Sequence, residues 1–175
     1  MVLQRSRAVK PPREHVPRGR APSLGRRLLC AVYESVILFG VVFIAGYLFS
    51  ALTQQRNGLT HHNLLAGWIT LVVGAYFVWF WTHGGQTLPM KTWRLRLVDH
   101  ALAPVSVGRA MLRYVLAWLW FLPPLALHSM LGGSVPHTLL ALSAWITLWA
   151  STQWLNPDRQ WLHDRLAGTR IVAAP

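Results

Sequence analysis

Acidic side chains are scarce in this chain: 5 Asp and Glu stand against 17 Lys and Arg. Only one carboxylate, Glu34, falls inside an apolar stretch, so no pair is available for general acid and base work. Cys30 is the single cysteine, which excludes an intrachain disulfide and any cysteine-based metal set. Packing accounts for Cys30 near the inner end of its apolar run, with juxtamembrane palmitoylation as the alternative. No Ser/His/Asp arrangement and no glycine-rich phosphate loop is present, so we expect no enzymatic activity and no cofactor. His61 and His62 are adjacent, but no nearby carboxylate or thiolate completes a metal set, and a loop role is the expected one. His128 reads as interfacial.

What the chain has in abundance is apolar length. Runs at 28–52, 64–81, 114–131 and 137–155 each approach or exceed the ~20 apolar residues a helix needs to cross ~30 Å of hydrocarbon. Basic residues alternate between the connections. Eight lie at or before Arg27; Lys91, Arg94, Arg96, Arg109 and Arg113 lie between the second and third runs; Arg159, Arg165 and Arg170 follow the fourth. The two other connections hold only Arg56. Four spans with both termini in the cytoplasm satisfy this pattern under the positive-inside bias. The expected class is therefore an all-α polytopic membrane protein in the bacterial inner membrane. The formal net charge of +12 is then a matter of topology and anionic-lipid contact, and no nucleic-acid partner is required.

The first run exceeds the ~7–15 residues of a signal-peptide core and no A-x-A-like site follows it, so it reads as a permanent span. Residues 1–25 carry Pro11, Pro12, Pro17 and Pro22 among repeated arginines, and are expected to be a disordered basic cytoplasmic tail. Ser23 is placed to cap the first helix. The remainder, 26–175, reads as one membrane domain.

Within that domain, Ala66, Thr70 and Gly74 form a small-residue seam in the second run, flanked by Gly67 and Ala75. Ser143, Thr147 and Ser151 repeat it in the fourth. Such seams allow close backbone approach in lipid, so these two spans are expected to pack together. Among 10 tryptophans, Trp68, Trp79, Trp81, Trp118 and Trp154 lie toward span ends, while Trp145 and Trp149 are set to pack on a neighbouring helix. Pro123-Pro124 should kink the third run. Between the second and third runs, Trp93, Leu95, Leu97 and Val98 alternate imperfectly with Arg94, Arg96 and Asp99, which predicts a strand; Thr169–Val172 is its best partner in a two-stranded ribbon at the cytoplasmic face. Asn156, Pro157 and Asp158 read as a helix start, with Trp161, Leu162 and Leu166 on one face and Gly168 at the end. This predicts a short amphipathic interfacial helix over 157–167.

Glu34 lies six residues beyond Leu28, about 9 Å of helical rise into the membrane. A charge there costs roughly 2.5–3.5 kcal/mol on insertion scales. An ion pair or hydrogen-bonded cluster, a proton or ion pathway, and simple snorkelling all answer that cost. Arg27 and Arg113 are the candidate partners, and Arg113, which opens the third run at the same leaflet, is the preferred one. His163 beside Asp164 titrates near neutrality when unperturbed.

Three stretches resemble the RDD family of bacterial membrane proteins: Arg26-Arg27-Leu28-Leu29-Cys30-Ala31-Val32-Tyr33-Glu34; Gly84-Gly85-Gln86-Thr87-Leu88 leading into Arg96-Leu97-Val98-Asp99 and Gly108-Arg109-Ala110-Met111-Leu112-Arg113; and Leu162-His163-Asp164-Arg165-Leu166-Ala167-Gly168-Thr169. The resemblance implies that Arg27 (or Arg26) takes the family arginine and Asp164 the aspartate of the last motif. Glu34 stands where the family's span-one aspartate is expected, one methylene longer, and Leu88-Pro89 departs from the usual Leu-Gly. Motif residues by resemblance are Gly85, Gln86, Thr87, His163, Asp164, Ala167 and Gly168, and Arg27, Glu34, Arg109, Arg113 and Asp164 are expected to form a charged inner-leaflet cluster. The family implies ion or solute transport, alone or as a transporter component within a homo-oligomer or with another membrane protein. The alternative is a non-transporting scaffold or assembly factor that recruits a cytoplasmic partner.

Overall fold

A computed structural model describes residues 21–54, 62–132, 134–155 and 160–174. The architecture is helical, with one small sheet. Helix α1 spans Leu24–Leu52 and α2 spans His62–Thr82. Both are long and apolar enough to cross a membrane, and most of their surface faces outward rather than into the protein. Helix α1 begins before the apolar run does, so Arg26 and Arg27 sit within its first turn: a hydropathy boundary marks the lipid edge, and the backbone helix continues past it. Ser23 occupies the cap position, but its side chain makes no capping bond; its carbonyl accepts from the Arg27 amide at 3.2 Å. The basic tail before residue 21 and the proposed helix start at Asn156–Asp158 lie outside the described residues.

The third apolar run is broken. Helix α4 (Val107–Ala117) passes through a 3-10 turn at Trp118–Trp120 into α5 (Leu122–Leu131), with a bend of 45°. Pro123 and Pro124 fall in the first turn of α5, where a missing amide costs nothing. The break, at Phe121, precedes Pro123 by two residues and is placed by the prolines. Counted as one bent span, this pair is a third membrane-crossing candidate. The fourth run forms α6 (Val135–Ser151), 17 residues long and continued by a 3-10 turn over Thr152–Leu155.

Helix packing departs from the seam expectation. The α2 seam meets α4: a side chain at Gly74 would collide with the Tyr114 ring, and Tyr114 donates to the Thr70 carbonyl at 2.7 Å. Helix α6 packs chiefly on α5 and the Trp118–Trp120 turn. The hydroxyls of Ser143, Thr147 and Ser151 bond back to carbonyls of their own helix, so they need no partner span. Trp145 and Trp149 do reach a neighbour: Trp145 donates to the Leu119 carbonyl at 2.9 Å, and Trp149 meets Trp120 edge-on.

The predicted ribbon is present. Strand β1 (Leu95–Asp99) pairs antiparallel with β2 (Thr169–Ala173), Leu97 opposite Ile171. A short helix α3 (Leu88–Thr92) precedes β1, and α7 (Leu162–Leu166) precedes β2. Leu95, Leu97 and Ile171 join Cys30, Trp81, Met90, Val105, Ala110 and Trp161 in one core. That core lies where the start of α1, the end of α2 and the start of α4 converge. The helix expected over 157–167 is shorter: Gln160 and Trp161 are not helical, α7 begins at Leu162 with Trp161 at its cap position, and it packs on α4 as a cap over the bundle. Trp161, His163 and Asp164 are its buried side, while Leu166 is 55% exposed. The apolar stripe expected from sequence is split, with Trp161 buried, Leu162 half-buried and Leu166 exposed, because α7 offers polar groups to a buried arginine.

Candidate functional site

Asp164 is fully buried, and Arg113 is its partner: the guanidinium Nε donates to Oδ1 at 2.8 Å. The tertiary route is clear. Arg113 projects from α4, Asp164 sits in the first turn of α7, and the two elements pack together. The Arg113 guanidinium also lies over the Trp81 ring, 4.2 Å from its centroid, so the indole face supplies the attraction that water otherwise would. Arg27, 2% exposed, brings a second guanidinium to the same cluster and lies 5.5 Å from the Trp161 centroid. Burial alone would raise the Asp164 carboxyl, but Arg113, His163 and Arg27 outweigh it and hold the group below its ordinary range.

His163 completes this shell. Trp120 donates to Nδ1 at 3.1 Å, which puts the proton of the neutral ring on Nε2, 3.3 Å from Asp164 Oδ1. Burial, assisted by Arg113 and Arg27 and opposed by Asp164, pushes the imidazole down to about 4. His163 is therefore a neutral donor at physiological pH. Asp164 Oδ2 has no hydrogen-bond partner among the described residues.

Glu34 has hydrogen-bond partners of its own, although the Arg113 charge still reaches it. Tyr76 on α2 donates to Oε1 at 2.7 Å, and Thr87 donates to Oε2 at 2.5 Å. No arginine or lysine stands within ion-pair distance among the described residues. The expected Glu34–Arg113 pair is corrected on this point. Both groups reach the same end of the bundle, but α7 inserts Asp164 as the closer carboxylate, and Glu34 turns to hydroxyls on α2 and the α3 cap. Arg109 also leaves the cluster. It pairs with Asp99 at 3.2 Å and is 47% exposed, and backbone amides of Ala103 and Ala101 together with Arg109 keep Asp99 below its usual range.

The motif residues hold the sheet in place. Gly85 adopts φ +71°, its carbonyl accepts from the Leu97 amide at 2.7 Å, and a side chain there would strike the Leu97 carbonyl oxygen. Gln86 donates to the Leu95 carbonyl at 2.7 Å. Thr87 caps α3 by accepting from the Met90 amide while giving its proton to Glu34. On the other flank, buried Ala167 and Gly168 (φ +67°) turn α7 into β2, and Thr169 donates to the Asp164 carbonyl at 3.2 Å. Gln160 clamps Ile171 through both amide atoms, each at 3.0 Å. Tyr76, Trp81, Trp120 and Gln160 were not singled out as site residues in the sequence reading. Tyr76 had a signal, since a phenol in an apolar run requires a polar partner; the others had none apart from their indole or amide chemistry.

These features define an α-helical membrane protein whose buried charged cluster is closed by a small sheet and cap helix. The RDD family description matches residues 21–168, and the chain belongs to the RDD family. No curated protein and no solved structure matches it.

Proposed function

We propose that this protein is a four-span, N-in and C-in protein of the bacterial inner membrane that moves a proton or small cation, or serves as the membrane subunit of an assembly that does. The observation that carries this reading is the environment of Glu34. Its carboxylate is 9% exposed, inside α1, and is held by two neutral hydroxyls rather than a fixed cation. A carboxylate paired with arginine is already neutralised. One held by Tyr76 and Thr87 retains an acid–base state that a proton or cation can change. Four spans supply few groups for a lone pathway, so a homo-oligomer or a further membrane subunit provides the remainder. No enzymatic step is assigned.

The test is ion flux in proteoliposomes holding the full-length protein. Glu34→Gln should abolish proton- or cation-coupled flux while its melting temperature stays near that of the parent. Flux unchanged by Glu34→Gln would sink the proposal. A scaffold role is the second reading, favoured by the buried Arg113–Asp164 contact that fastens the cap to the bundle. It gains if no flux is found and a cytoplasmic partner is captured through the basic tail.

A further inference from the structure

The charged groups outside the bundle are not evenly compensated. Among the described residues Asp99 is matched by Arg109, while Asp164 and Glu34 are buried within their own contacts. Arg26, Lys91 and Arg94 have no carboxylate within ion-pair distance among those residues. They are also drawn into one corner. Arg26 Nη2 donates to the Arg94 carbonyl at 3.4 Å, and the Arg94 amide donates to the Lys91 carbonyl at 3.1 Å. The same Arg94 carbonyl accepts from the Ala174 amide at 2.8 Å, so the corner ties the start of α1, the end of α3, β1 and the end of β2. Arg94 adopts φ +49°, an unusual region for a residue with a side chain.

Apolar side chains flank these cations at helical spacing. Leu29 lies one turn beyond Arg26 and is 51% exposed; Leu88 lies one turn before Lys91 and is 52% exposed. Cations one turn from exposed leucines match the two halves of a phospholipid: an anionic phosphate region and its acyl chains.

We propose that the Arg26, Lys91 and Arg94 corner is a binding site for the headgroup of an anionic phospholipid, with Leu29 and Leu88 against its chains. The site deepens the membrane placement proposed above and rests on α3 lying at the inner leaflet. An occupied site would fasten α3 to α1 beside Thr87, the residue that bonds Glu34.

The test uses full-length protein in neutral detergent titrated with phosphatidylglycerol, phosphatidylcholine or glycerol phosphate, followed by melting temperature and retained lipid in native mass spectrometry. Phosphatidylglycerol should stabilise the parent protein, and the other two should not. Lys91→Gln/Arg94→Gln should weaken phosphatidylglycerol binding about twenty-five-fold, since each basic residue contributes a roughly fivefold factor at an anionic surface. Arg26→Gln/Lys91→Gln, which leaves Arg94 and its backbone in place, should weaken it similarly. Arg96→Gln, which removes one charge elsewhere on the sheet, should change it less than threefold. Equal stabilisation by glycerol phosphate would assign the site to a free anion and overturn the lipid proposal. Weakening by Arg96→Gln of about fivefold, the same per-charge factor as at the corner, would reduce the effect to net charge and overturn it too. Loss of this binding with ion flux intact leaves the transport reading standing, and the converse leaves the lipid site standing.

Discussion

At the scale of single residues, the pairing of Arg113 with Asp164 governs how the cap holds. Both side chains are more than nine-tenths buried, so removing either strands the other in a poorly solvated place. Such a loss commonly costs ~3–5 kcal/mol. Arg113→Leu and Asp164→Leu should each lower the melting temperature in detergent, and the double variant should recover part of the loss; simple addition of the two losses would refute the coupling. Recovery will be incomplete, because Arg27 still requires the Asp164 charge. His163 gives a second prediction with a definite sign. Its folded value of about 4 lies below its ordinary 6.5, so between these the unfolded chain takes up a proton that the native protein refuses. Stability should therefore fall as pH drops from about 6.5 toward about 4, a window above that in which Asp164 titrates. His163→Asn keeps an acceptor for Trp120 and removes the titration, so its melting temperature should depend less on pH across that interval. An unchanged pH slope would place the sensitivity on another group.

At the scale of elements, the two family motifs are the two supports of one sheet. Gly85 is the most constrained point, since its backbone is left-handed and the Leu97 carbonyl fills the space a side chain would need. Gly85→Ala should destabilise by roughly 2 kcal/mol or more and expose the C-terminal strand to protease. Gly108→Ala has open space at helix α4 and should leave melting nearly unchanged. Equal effects from the two substitutions would show that the turn is not specially required. The sheet itself was legible because Leu95, Leu97 and Val98 alternate against charged neighbours and Thr169–Val172 offered the matching partner. Helix α7 was legible as a helix but neither in its length nor in its orientation: Trp161, Leu162 and Leu166 suggest one apolar face of a longer helix, whereas Trp161 is a buried cap residue and Asp164 turns to Arg113. The α2 seam was legible as a close contact, yet small residues do not name the helix that approaches them, and Tyr114 on α4 was the one that did. Azimuth explains the Glu34 outcome as well. Sequence puts Glu34, Arg27 and Arg113 at one leaflet, but which carboxylate reaches Arg113 depends on a helix fifty residues further along.

For the molecule as a whole, the organisation is asymmetric. The sheet, α3, α7 and the buried arginines gather at one end of the bundle, and the exposed cations of the described residues gather there too. Helix α1 alone exposes Val32, Val36, Phe39, Phe43 and Tyr47, each more than half accessible, as a helix in contact with hydrocarbon does. Orientation follows from the positive-inside bias: the capped, basic end should face the cytoplasm. Cysteine accessibility checks this in a Cys30→Ser background, with single cysteines at exposed positions. Met90 is buried and therefore uninformative, whereas His100 and Arg165 are exposed at the capped end, and His62 and Ser134 are exposed at the other. Cysteines replacing His100 and Arg165 should react with a membrane-impermeant reagent only after the inner face is opened. Those replacing His62 and Ser134 should react in intact cells. Reversal of all four would invert the protein and place Glu34 at the outer leaflet, where it could not serve as the inner acceptor of a transported ion. Inner-face labelling at Ser134 with the other three as expected would mean that neither the bent α4–α5 pair nor α6 crosses, leaving two spans. The four-span pattern requires His100 and Arg165 on one side and His62 and Ser134 on the other.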